Sequence, residues 1–93
     1  MTNPRTAIWK FKLDTNHAEQ RYQWPHVVNV LSIAMQDGGP VLWALVYPDT
    51  DSRPYKLLRF LTGEQTYGIN NYLGTVTLPT GNVLHYFSGG PGL

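Results

Sequence analysis

Ninety-three residues and 10.5 kDa make one small domain with a single core. Only 14% of the residues are charged and the net charge is +1, so no bulk field gathers nucleic acid or an anionic membrane. The absence of cysteine excludes a disulfide framework, a thiolate zinc site and a cysteine nucleophile, and the longest apolar run, Val41 to Tyr47, is too short to cross a bilayer as a helix.

Seven prolines and nine glycines break the chain into short segments, the pattern of an all-β domain. Trp9, Phe11 and Leu13 alternate with Ile8, Lys10 and Lys12, which predicts a first strand. Tyr22 and Trp24 oppose Glu19, Arg21 and Gln23 in a second. From Val27 to Met35 the alternation slips by one residue, and a bulge near Val30 would restore the inward face. The same stretch places 27, 30, 31 and 34 at helical spacing, but its β-branched content favours a strand. Asp37-Gly38-Gly39-Pro40 is a turn in which two glycines are free to take positive φ.

Val41–Tyr47 is apolar on both faces, as a covered central strand is, and Trp43 within it is expected in the core. Trp9 and Trp24 are equally free to reach a surface. The polar loop Pro48–Pro54 leads to a strand over Tyr55–Leu61. Tyr72–Leu78 and Val83–Phe87, joined by the tight turn Leu78-Pro79-Thr80-Gly81-Asn82, complete the set. The predicted fold is all-β, a small antiparallel sandwich or partly open barrel of about six or seven strands with at most one short helix. Residues 1–87 form the domain, and 88–93 read as a Gly/Pro-rich tail. With no apolar leader at Met1-Thr2-Asn3-Pro4-Arg5, the expected location is cytoplasmic.

The groups needed for catalysis do not assemble in the sequence. His17, His26 and His85 lack the spacing of a local metal site, and Asp49 and Asp51 lack the glycine and glutamate of a calcium loop. Gly38-Gly39 and Gly89-Gly90 belong to no phosphate motif, and Ser32, Ser52 and Ser88 lack the flanks of a nucleophile elbow. No catalytic residue, metal or cofactor is predicted, and the chain is read as a non-enzyme.

Binding is the better reading. Three Trp, six Tyr and three Phe are a high aromatic share for so short a chain. Thr62–Asn71 is the longest loop, at about ten residues, and is rich in hydrogen-bonding groups. It carries Tyr67 as its expected aromatic anchor, with Thr62, Gly63, Asn70 and Asn71 around it. Arg59, just before it, offers a planar fork to a phosphate or carboxylate, and Lys10 could add charge. Low charge and open sheet edges predict a homo-oligomer, most simply a two-fold dimer.

Several phrases carry a family resemblance: Ile8-Trp9-Lys10-Phe11 with Leu13, Leu42-Trp43-Ala44-Leu45-Val46 with Pro48-Asp49, Arg59-Phe60 with Thr62-Gly63, and Tyr72-Leu73-Gly74-Thr75 with Leu78, Gly81, Val83 and Phe87. Together they resemble a family of small uncharacterised domains encoded by bacteriophages and prophages, with no assigned activity. The chain departs from the pattern after Thr62-Gly63, where Glu64 and Gln65 replace the family's histidine and proline. The resemblance implies a phage-type protein that engages and inhibits a host factor, plausibly an antiviral defence component, in the host cytosol. Two alternatives stand beside it. One is a sponge-type protein sequestering a small nucleotide between subunits, with Tyr67 or a tryptophan stacking and Arg59 or Lys10 on phosphate. The other is a virion structural or assembly protein.

Overall fold

The computed structural model describes residues 4–89. The chain forms β1 (Ala7–Lys12), β2 (Glu19–Trp24), β3 (His26–Gln36), β4 (Gly39–Tyr47), β5 (Arg53–Leu61), β6 (Ile69–Thr77) and β7 (Val83–Gly89). No helix occurs among the described residues. The strands form two antiparallel sheets, ordered β1-β4-β3 and β2-β5-β7-β6, which face each other as an open sandwich. The expected all-β class is therefore correct, and the barrel alternative falls away.

Register shows how the alternation becomes a core. Ala7, Trp9 and Phe11 stand opposite Val46, Ala44 and Leu42 on the inner face of the first sheet. From the second sheet Trp24, Leu57, Leu84 and Tyr86 meet them. Trp24 is the centre of this core. Its ring stacks on Phe11, Tyr22 and Tyr55 with centroids 4.2, 4.8 and 4.9 Å away. Trp43 is not a core residue, contrary to expectation. It pairs with Lys10 and Ser32 on the outer face of β4, one step out of phase with the fully buried Leu42 and Ala44. An edge-to-edge covered strand of three in a sandwich has only one buried face, so its apolar outer face stays half-exposed.

β3 is a strand with two bulges rather than the single expected one, at Val28 and Leu31. Val27, Val30 and Ile33 all face inward because each bulge adds one residue to the two-residue repeat. That insertion produces the three-residue spacing that mimics a helix. Its hairpin to β4 places Asp37 and Gly38 at φ 52° and 87°, the positive pair a two-residue turn requires, so Gly39 begins the next strand.

β5 and β6 both pair antiparallel with the strand between them, β7, and therefore run parallel to each other. Their connection must recross the sheet, and residues 62–68 do so over the outer face. Leu58 and Phe60, which point outward, are fully buried beneath this crossover. The predicted loop is shorter than expected because Asn70 and Asn71 already belong to β6. β7 likewise runs past Phe87: Ser88 is buried, and its Oγ accepts a hydrogen bond from the Asn71 amide at 3.0 Å. Of the predicted tail 88–93, Ser88 and Gly89 thus belong to β7, and residues 90–93 lie outside the described residues.

Candidate functional site

The outer face of the second sheet carries the largest group of exposed aromatics. Tyr67, in the crossover, sets its ring edge-on to Phe60 at 5.5 Å yet remains 56% exposed. Tyr72, on β6, does the same to Phe87 at 5.4 Å and is 61% exposed. Tyr67 is thus held by the buried Phe60 and Tyr72 by the half-buried Phe87, while the other side of each ring meets solvent. Beside them runs a chain of side-chain hydrogen bonds. The Thr62 hydroxyl meets His85 Nε2 at 2.8 Å, His85 Nδ1 meets Thr75 Oγ1 at 3.0 Å, and Thr75 Oγ1 shares a hydrogen with the Tyr72 hydroxyl at 2.6 Å. With hydroxyls on both ring nitrogens, His85 is oriented but has no carboxylate to polarise it.

Of the sequence-predicted residues, Thr62, Gly63 and Tyr67 lie on this crossover. Gly63 takes φ 93° in the turn that leaves β5, where Glu64 N bonds Leu61 O at 3.1 Å. Asn70 and Asn71 are displaced toward the sheet edge. Arg59 goes elsewhere: it stands opposite Tyr86 on the inner face, and its Nη1 donates to the Thr15 carbonyl at 2.7 Å. Its backbone amide bonds Ala18 O at 2.8 Å, so the residue fastens the loop between β1 and β2 at one end of the sandwich. One arm of the guanidinium fork thus binds the protein's own backbone, while Nε is buried without a partner among the described residues. Lys10 lies on the outer face of the other sheet, with Nζ donating to Gln36 Oε1 at 2.7 Å. Arg59, Lys10 and Tyr67 occupy three different faces of one chain.

Tyr72 and His85 are not among the binding residues that the sequence predicts, yet they complete the aromatic face. A signal for them exists in the charge pattern. No Asp, Glu, Lys or Arg occurs from Gln65 to Leu93, and none from Tyr22 to Gln36. These two stretches contain β3, β6 and β7, so one edge of the sandwich is wholly uncharged, with Val28, Leu31, Ile69 and Tyr72 exposed along it.

That edge is split by a cleft of about 700 Å³ between the sheets. Gly74 packs against Ile33 where the two sheets meet. Val27–Val30 of β3 and 70–73 of β6 line it with Tyr55 and Ser88, and Arg21 and Lys56, which pair with each other one step out of phase with the inward Tyr22 and Tyr55, stand at its rim. Burial pushes the Tyr55 phenol above its ordinary range, opposed by its hydrogen bond with Ser88. Glu19 bridges Lys56 Nζ at 3.2 Å and Arg21 Nη2 at 3.3 Å. The Lys56 hydrogen bond chiefly holds its carboxyl below the ordinary range. No group of three or more His, Asp or Glu side chains with metal-binding geometry occurs among the described residues.

Fold and surface define an antiparallel β-sandwich domain with an uncharged aromatic edge. The chain belongs to the family described as Domain of unknown function (DUF7352), whose model matches residues 4–91. This agrees with the resemblance to a family of small uncharacterised domains. No curated protein and no solved structure matches the chain. No helix among the described residues is long and apolar enough to cross a membrane.

Proposed function

We propose that this domain is a non-catalytic binding protein that engages a partner protein through the outer face of β6, β7 and the 62–68 crossover. The observation that carries this reading is the pair Tyr67 and Tyr72, both more than half exposed and each set edge-on against a phenylalanine, the buried Phe60 and the half-buried Phe87. Aromatic anchors fixed before binding lose little side-chain entropy on association and dominate interface energetics. The uncharged surroundings favour the reading, since an interface core is depleted in charge. The resemblance extends it: the partner is a host factor, plausibly an antiviral defence component, met by a phage-encoded protein in the host cytosol. Self-association as a two-fold dimer belongs to the same proposal, because a net charge of +1 opposes it little.

The alternative of a nucleotide sponge places Tyr67 or a tryptophan with Arg59 or Lys10 in a pocket between subunits; Arg59, Lys10 and Tyr67 lie on three different faces of one chain, so such a pocket would draw its stacking and phosphate groups from different copies. The test is affinity capture from host lysate with wild type, Tyr67→Ala and Tyr72→Ala side by side. One host protein should be retained by wild type and lost by at least one variant whose melting temperature stays within a few degrees. Identical capture by all three, or no specific capture, sinks the reading.

A further inference from the structure

We propose that the cleft between β3 and the β5–β6 end of the second sheet binds a phosphate-bearing nucleotide, within one chain and independently of the aromatic face. Its shape is the first argument. At about 700 Å³ it lies within the range of small-molecule sites, and it is a slot between two sheets. Val28 and Val30 on one side and Leu73 and Tyr55 on the other supply apolar walls for a planar ring.

Charge is the second argument. The lining contains two cations, Arg21 and Lys56, and no carboxylate. Glu19 touches both cations but lies outside the lining, so this group of three leaves a net single positive charge at the rim of the cleft. The Lys56 ammonium is placed firmly: its stem crosses Gly89 so closely that a Cβ there would stand 2.6 Å from Lys56 Cγ and Cδ. A phosphate facing these two donors would gain charge-assisted hydrogen bonds. Asn70 and Asn71 supply the third argument. Both line the same slot, and a carboxamide presents a donor and an acceptor, the pairing that reads the edge of a nucleobase. A phosphate end, apolar walls and an amide rim together match a nucleotide better than a lipid, a sugar or a bare anion.

Isothermal titration calorimetry of the full chain with AMP, GMP, cyclic AMP, cyclic GMP and adenosine tests this. At least one phosphate-bearing probe should bind with micromolar affinity, and adenosine about tenfold or more weakly. Arg21→Gln should weaken binding about tenfold, because Glu19 then cancels Lys56. Glu19→Gln should tighten it by releasing both cations, a gain that mere damage to the fold does not produce. Asn70→Ala should weaken binding with little change in melting temperature, and Tyr67→Ala should leave it unchanged. Failure of every probe at millimolar concentration overturns the proposal. So does adenosine binding as tightly as its phosphates, or affinity indifferent to Arg21→Gln and Glu19→Gln. None of these results touches the tyrosine-dependent capture of a partner protein.

Discussion

Gly74 on β6 lies so near Ile33 on β3 that a Cβ at position 74 would stand 2.9 Å from the Ile33 Cβ. A Cβ is fixed to its backbone and cannot swing aside, so the two sheets would have to part. Gly74→Ala should cost about 1–3 kcal/mol, the usual range for overpacking. Ile33→Ala removes only the atoms beyond Cβ and should rescue little of this. Urea melts of the single and double variants check both points, and an unchanged midpoint for Gly74→Ala would show that the contact yields.

Trp24 and Trp43 should differ sharply on truncation. Trp24 is 6% exposed with three aromatic rings stacked around it, so Trp24→Ala should lose about 3–5 kcal/mol. Trp43 covers an outer sheet face, and Trp43→Ala should cost clearly less. Equilibrium unfolding of the two variants under identical conditions gives the ranking, and the reverse order would place the core on the wrong side of β4.

Arg59 is a fastener for the loop 13–18. Arg59→Met keeps the buried stem but removes the donor to the Thr15 carbonyl, with an expected loss of about 1–3 kcal/mol. Hydrogen exchange should quicken in residues 14–18 while partner capture by the folded variant stays intact. Lost capture without faster exchange would return Arg59 to the binding surface.

Tyr86 makes stability sensitive to alkali. Burial pushes its phenol from 10.0 up to about 12, and its hydroxyl donates to the Asp14 carbonyl at 2.9 Å. The unfolded chain releases this proton first as pH rises. The contribution is therefore complete below pH 10.0 and is lost as pH climbs toward about 12, a change on the order of 2 kcal/mol. Tyr86→Phe should be less stable by about 1 kcal/mol at neutral pH, yet its stability should fall less steeply in alkali. Thermal melts across that range read the slope, and parallel curves for the two proteins would refute the assignment.

The candidate site was partly legible before the fold was known. Tyr67 was, because an aromatic in a long polar segment has few reasons to be there other than packing or contact. Tyr72 was not, since a tyrosine in an alternating strand gives no sign of which face is covered. The direction of Arg59 was hidden for a related reason: its place between Leu58 and Phe60 suggests an outward residue among inward ones. The crossover of residues 62–68 reverses that, burying Leu58 and Phe60 on the outer face while Arg59 turns inward to cap a loop.

What the sequence by itself determined is the local level: all-β character, turn positions, the extents of the strands to within a few residues, and membership of a family of small domains. These depend on glycine, proline and two-residue alternation, which act between neighbours along the chain. Tertiary structure alone decided which face of each strand is inside, that Trp24 rather than Trp43 centres the core, and that the uncharged strands β3 and β6 share one edge. Those outcomes depend on pairing between residues far apart in the chain. Alternation defines two faces for every strand, and only the partner sheet and the crossing loop choose between them.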